Sequence, residues 1–173
     1  FEDDPDSVIN LSCLKQGIGL SGEDVGKVRI RENSGIKKIL TIENLTTFFR
    51  WKEKDCLMIY LGGYHNSVRR KLLELLYQDF PEAEYLHFGD IDVGGFEIYR
   101  DLCRKTGIPF KTYHMGIEEL EKYEAYTQEL TGNDRKRLEA LIQKSESEGK
   151  DTRVLLYMKE KGRKLEQEGI RQV

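Results

Sequence analysis

The chain has 173 residues, 34% of them charged and 38% apolar, with a net charge of −3 at pH 7. That length suits one domain with a proper core. No apolar run approaches the roughly 20 residues of a membrane span, and the acidic opening Phe1-Glu2-Asp3-Asp4 is unlike the basic start of a signal peptide.

A chain that starts at Phe rather than Met reads as a piece of something longer, so residues 1–35 are expected to be a lead-in from a preceding region. The first β-type run is Ile36 to Ile42, followed by Glu43 and by a short helix over 45–51 with Asn44 as its N-cap. A second buried strand, Cys56 to Leu61, ends at Gly62-Gly63. The helix after it carries Val68, Leu72, Leu75 and Leu76 on one face and opens with Arg69-Arg70-Lys71. Pro81 breaks the chain before a third strand, Glu84 to Phe88, which runs into Gly89-Asp90-Ile91-Asp92-Val93-Gly94-Gly95. Alternation puts His87 with Tyr85 on the face opposite Leu86 and Phe88, a structural position. A helix opening at Gly94-Gly95 stops at Gly107, with Pro109 beyond, and Phe110 to His114 is a fourth strand. After Gly116 come three helical stretches, about 117–130, 132–146 and 152–169, the last capped by Asp151 or Thr152.

Strands alternating with helices predict an α/β fold with a mostly parallel sheet of about four strands and helices on both faces. The predicted division is a lead-in over 1–35, a core over 36–116 and a helical carboxy-terminal extension over 117–173. Ligands of such sheets bind beyond the carboxyl ends of the strands, where Glu43, Gly62-Gly63, Asp90, Asp92, His65 and His114 all fall. Two carboxylates at i and i+2 of an extended segment share a side and raise each other's pKa unless a cation neutralises them. A hard divalent ion suits that oxygen set. The alternative is structural: Asp92 caps the following helix, and Glu43 favours the positive end of the next one. The cysteines Cys13, Cys56 and Cys103 form no C-x-x-C pair and read as reduced thiols, which points to the cytoplasm.

An acidic residue after the first strand, a glycine turn after the second and D-x-D after the third resemble the Toprim domain of topoisomerases, primases and nucleases. The blocks Ile42-Glu43-Asn44-Leu45-Thr46-Thr47-Phe48, Leu61-Gly62-Gly63 and His87 to Phe96, with Leu165-Glu166-Gln167-Glu168 near the end, are similar to the carboxy-terminal domain of the JetD family. That family supplies the nuclease subunit of the Wadjet anti-plasmid system and is related to the topoisomerase VI A subunit. The resemblance covers roughly 36–169. It implies a Toprim (Rossmann-like) core, with Glu43, Asp90 and Asp92 as metal-binding and catalytic carboxylates for one or two Mg²⁺ or Mn²⁺ ions. It also implies hydrolysis of double-stranded DNA by water, a homodimer, and delivery of DNA by an SMC-type motor complex. Gly62, Gly63, His65, Arg69, Gly94 and Gly95 are candidate phosphate or DNA contacts, and Glu166 and Glu168 are accessory candidates on the last helix. None of the nine tyrosines stands in a nucleophile setting. Two other readings remain open. Asp90-Ile91-Asp92-Val93 also fits the D-x-D-x-[TV] signature of haloacid-dehalogenase-type phosphatases, with Asp90 as nucleophile and Asp92 as general acid. Alternatively the fold serves as a non-catalytic dimerisation or DNA-docking module.

Overall fold

In the computed structural model, residues 17–30 and 34–171 are described, together with Val8, Asn10, Leu11 and Leu14. Cys13 and much of the expected lead-in lie outside the described residues. Four parallel strands form the sheet: β1 (Lys38–Ile42), β2 (Cys56–Tyr60), β3 (Glu84–Phe88) and the short β4 (Lys111–Thr112), in the order β2-β1-β3-β4. In β1, Ile39, Leu40, Thr41 and Ile42 are all fully buried. A strand flanked on both edges and covered on both faces has no use for polar alternation, and Thr41 meets that constraint by spending its hydroxyl on Leu86 O at 3.2 Å.

Ile39, Ile59 and Tyr85 face one layer, packed with Leu73 and Leu76 of α3 (Ser67–Asp79) and Ile98 and Leu102 of α4 (Val93–Thr106). A short α1 (Gly22–Val25) packs beside α3. Leu40, Ile42, Leu86 and Phe88 face the other layer. It holds Trp51, which follows α2 (Leu45–Arg50), and residues of α5 (Ile117–Lys122), α6 (Gly132–Ser147) and α7 (Arg153–Lys161). The architecture is α/β with a Rossmann-like, Toprim-type sheet, as expected. Among the described residues no helix is long and apolar enough to cross a membrane.

The extension departs from the expected three helices. The stretch expected to be helical over 117–130 ends at Lys122; a 3₁₀ turn, Glu124–Tyr126, and β5 (Gln128–Glu129) follow. Tyr123 closes α5 and donates its hydroxyl to Arg171 O at 2.6 Å. The last helix stops at Gly162, which takes φ +65° and returns its N–H to Met158 O. This left-handed cap is what glycine accommodates most readily. Beyond it β6 (Arg163–Lys164) pairs antiparallel with β5, and Gln167–Gly169 form a 3₁₀ turn. Glu166 and Glu168 are therefore on an extended segment and a tight turn, not on a helix. The fourth strand is shorter than Phe110 to His114, because His114 adopts φ +50° and turns the chain away. Thr152 occupies the N-cap position of α7 without a side-chain cap bond, and Asp151, just before it, accepts the Arg153 N–H at 3.0 Å.

Candidate metal centre

Strand register places the acidic residues. Ile42 pairs with both Tyr60 and Phe88, so the three long strands end at one level. Glu43 continues the ladder by donating its N–H to Phe88 O at 3.0 Å, and Leu61 does so toward Ile42 O at 2.8 Å. Glu43 thereby emerges beside Gly89. A Cβ on Gly89 would stand 2.7 Å from Glu43 Oε2 and 2.9 Å from His87 Nε2, so only a glycine leaves those side chains their space. Asp92 is the N-cap of α4, its Oδ1 accepting the Gly95 N–H at 2.7 Å. Gly95 is buried, and a Cβ there would collide with the Asp90 carbonyl. The helix packs against the D-x-D backbone with no room for a side chain.

The carboxy-terminal segment closes the other side of this edge. Ile91 and Leu165 form an antiparallel bridge, with N–H to O distances of 2.8 and 3.0 Å. Gln167, fully buried, then joins three elements. Its N–H reaches Asp90 Oδ1 at 2.7 Å, its Nε2 donates to Phe88 O at 2.9 Å, and its Oε1 accepts the Asn44 N–H at 2.8 Å. Asn44 Nδ2 donates to Glu168 Oε1 at 2.9 Å, and Arg50 reaches the Glu168 carbonyl at 3.3 Å. Gln167 carries no charge or motif that singles it out in the sequence; its importance rests on contacts across more than 75 residues.

Negative charge accumulates around Glu43 and Asp90. Burial, followed by the charges of Asp90 and Asp92, pushes Glu43 up to about 7, against the Asp90 backbone N–H that lowers it. Burial also raises Asp90, opposed by the Gln167 N–H and reinforced by Glu166 and Asp92. The groups that dominate both carboxyls are other carboxylates and backbone donors; no Lys or Arg is among them. Glu43 Oε2 is buried with no hydrogen-bond partner. An unpaired buried oxygen in a negative field is costly unless something positive meets it.

Glu43, Asp90 and Asp92 thus share one neighbourhood, with Glu166 joining them. Among the described residues no group of three or more His, Cys, Asp or Glu side chains is already disposed to hold a metal ion. One oxygen each of Asp90 and Asp92 is engaged by a backbone N–H. The donor set fits a hard cation in kind, as carboxylate oxygens with an orphan among them.

The remaining candidates divide. Gly62 and Gly63 take φ +66° and +78° after β2; Gly62 is exposed, with the Tyr60 ring 3.1 Å from where its Cβ would stand, and Gly63 is half-buried with open space in that direction. Gly94 is half-buried next to Asp92, whereas the Gly95 N–H, expected to face a phosphate, is already consumed by Asp92. His65 is buried rather than presented to a phosphate; its ring nitrogens have no partner, and burial lowers its pKa. Arg69 stacks over the Tyr60 ring at 5.7 Å. His114 pairs with Glu119 at 2.8 Å, and that carboxylate also accepts the Gly116 N–H. His87 is structural as expected: fully buried, with Nδ1 2.9 Å from Thr41 Oγ1.

The family described as Wadjet protein JetD, C-terminal, matches residues 4–173. A protein of Bacillus cereus (strain Q1) named Wadjet protein JetD is 28% identical over 125 residues, which cover 70% of the chain and 30% of that protein. The match therefore spans less than a third of this relative's length.

Proposed function

Since the chain belongs to the JetD C-terminal family of the Wadjet system, we propose that it is a metal-dependent nuclease domain that hydrolyses phosphodiester bonds of double-stranded DNA. One observation carries the reading. Glu43 Oε2 is buried without a partner beside Asp90 and Asp92 at the carboxyl edge of a parallel sheet, with no basic side chain dominating either Glu43 or Asp90.

In this reading Glu43, Asp90 and Asp92 hold one or two Mg²⁺ or Mn²⁺ ions, with Glu166 close enough to assist. When bound, such an ion stabilises charge on the phosphoryl oxygens during in-line attack. The chain's own residues do the rest. Gln167 holds Asp90 through its backbone N–H, the α4 N-terminus holds Asp92 through Gly95, and Glu43 either binds metal or relays a proton. Gly63, with open space where a side chain would stand, leaves its backbone accessible to a phosphate. The resemblance extends the proposal to a cytoplasmic homodimer supplied with DNA by an SMC-type motor complex.

Nicking of supercoiled plasmid with Mn²⁺ or Mg²⁺ tests the proposal. Conversion that disappears in Asp90→Asn and with EDTA supports it; nicking that survives Asp90→Asn contradicts it. The engaged oxygens of Asp90 and Asp92 favour one rival, a docking module without turnover, which predicts DNA binding with no nicking under any divalent ion. The phosphatase reading predicts phosphate release from small phosphomonoesters instead, although β4 ends at Thr112-Tyr113-His114 with no acidic pair.

A further inference from the structure

Alongside the carboxylates, α4 and α6 enclose an open cleft of about 370 Å³. Its lining carries five basic residues, Arg100, Arg104, Arg137, Lys144 and Lys150, against three acidic ones, Glu97, Asp101 and Glu148, a local excess of two positive charges on a chain whose net charge is −3. Three of the cations are answered in place: Arg137 by Glu97 at 2.5 Å, Arg104 by Asp101 at 2.5 Å and Lys150 by Glu148 at 2.6 Å. Arg100 and Lys144 form no ion pair among the described residues, although the charge of Glu148 acts on both. Arg100 is half-buried and donates to two neutral oxygens, Ser145 Oγ and Leu141 O. Its guanidinium, with five N–H donors, keeps some of them for a phosphate, the anion its planar fork suits.

The cleft runs out of the proposed catalytic edge rather than standing apart from it. Glu97, Arg100, Asp101 and Arg104 recur at helical spacing along α4, whose N-cap is Asp92. At its mouth Arg137 is held charged first by Glu97 and also by Asp92. Tyr64, 59% exposed, lines the same mouth, and its phenol is raised by burial, by Glu97 and Asp101, and also by Glu43. From Asp92 to Arg104 the helix rises about 18 Å, the axial length of roughly five steps of a DNA strand.

We propose that the α4–α6 cleft is the track for the phosphate backbone of a DNA strand leaving the carboxylate edge, with Arg100 and Lys144 as its phosphate contacts and Tyr64 and Arg137 at its entrance. The assignment rests on DNA being the substrate, and it adds a surface that the glycine turns and Arg69 do not supply. The local excess of two positive charges gives a chain of net charge −3 one channel that attracts a polyanion.

Fluorescence anisotropy of a labelled DNA duplex in EDTA, titrated with salt, tests the track without requiring turnover. Arg100→Gln/Lys144→Gln is expected to bind about ten-fold more weakly near 50 mM salt and to lose about two from the slope of log affinity against log salt. Arg100→Lys/Lys144→Arg keeps the slope. Wild-type affinity and slope in the glutamine variant overturn the proposal, as does an equal loss in the charge-preserving variant, or no measurable binding by the wild type. If Asp90→Asn abolishes nicking while the glutamine variant binds normally, the track alone falls. If the wild type binds through the cleft yet never cuts, hydrolysis alone falls.

Discussion

The strand ends of β1 and β3 and the segment Arg163 to Ile170 bring carboxylates to the same edge of the sheet, yet they are held there by different forces. Glu43, Asp90 and Asp92 follow strands or cap a helix whose residues are buried on both faces, so their placement comes with the core. Glu166 and Glu168 ride on a segment fixed by the two-residue pairing of β5 with β6, one bridge at Leu165, and the buried amide of Gln167. The core sets where the charges stand and engages Asp92 through Gly95; the tail engages Asp90 through Gln167. Changes in the first region should therefore remove activity or the fold outright, and changes in the second should loosen the site in smaller steps.

The largest effect is expected from Asp90→Asn. Metal-dependent nicking should fall by on the order of 10²–10³-fold or more, the scale of losing one preorganised charge stabiliser, as read from plasmid conversion rates. The same substitution should leave the metal-free fold as stable or more so, because it removes one member of a repelling set. Gly95→Ala attacks the core side sterically. Its Cβ would meet the Asp90 carbonyl, and a loss of about 3 kcal/mol or more in urea unfolding is expected, the size of an overpacked contact against backbone.

Those two positions stand where the sequence was most legible. The segments before Glu43 and Asp90, Ile39-Leu40-Thr41-Ile42 and Tyr85-Leu86-His87-Phe88, could be read as strands because burial on both faces demands mostly apolar runs. Asn44 and Gly107 marked helix ends by local chemistry, and the structure has Asn44 capping α2 and Gly107 closing α4. The tail was less legible. Leu165 lies seven residues beyond Met158, a spacing that prolongs the helical stripe of Val154, Leu155 and Met158, yet the helix had ended at Gly162. Gly162 was the available signal, since a mid-helix glycine is unfavourable by roughly 1 kcal/mol and a left-handed cap is not. Gln167 offered none, because a buried glutamine is defined by the distant Phe88 and Asn44 backbone groups it satisfies.

Gln167→Ala sharpens the comparison from the tail side. It leaves Phe88 O and the Asn44 N–H without their partner, and a loss of about 2–3 kcal/mol is expected in urea unfolding. Hydrogen exchange should increase first at Ile91 and Leu165 and least in β1. Equal loosening of β1 would show that tail and core are one cooperative unit. A smaller loss, about 1 kcal/mol, is expected for Gly162→Ala, which must hold φ +65° and brings a Cβ within 2.8 Å of Arg135 Nη2.

The acidic set also predicts a pH dependence in the metal-free chain. Glu43 is raised from 4.5 to about 7. Below about pH 4.5 it is protonated whether folded or unfolded. Between there and about 7 the folded chain keeps a proton the unfolded chain has lost, so its contribution to stability falls as pH rises through that window. Thermal midpoints without metal should decline across it, and Glu43→Gln should flatten the decline.

Manganese binding followed by electron paramagnetic resonance at neutral pH tests the central claim most directly. The chain is expected to bind Mn²⁺, and Glu43→Gln and Asp90→Asn should each weaken that binding by ten-fold or more. Unchanged affinity in both variants, or no binding by the unaltered chain, would contradict a metal centre at this edge of the sheet.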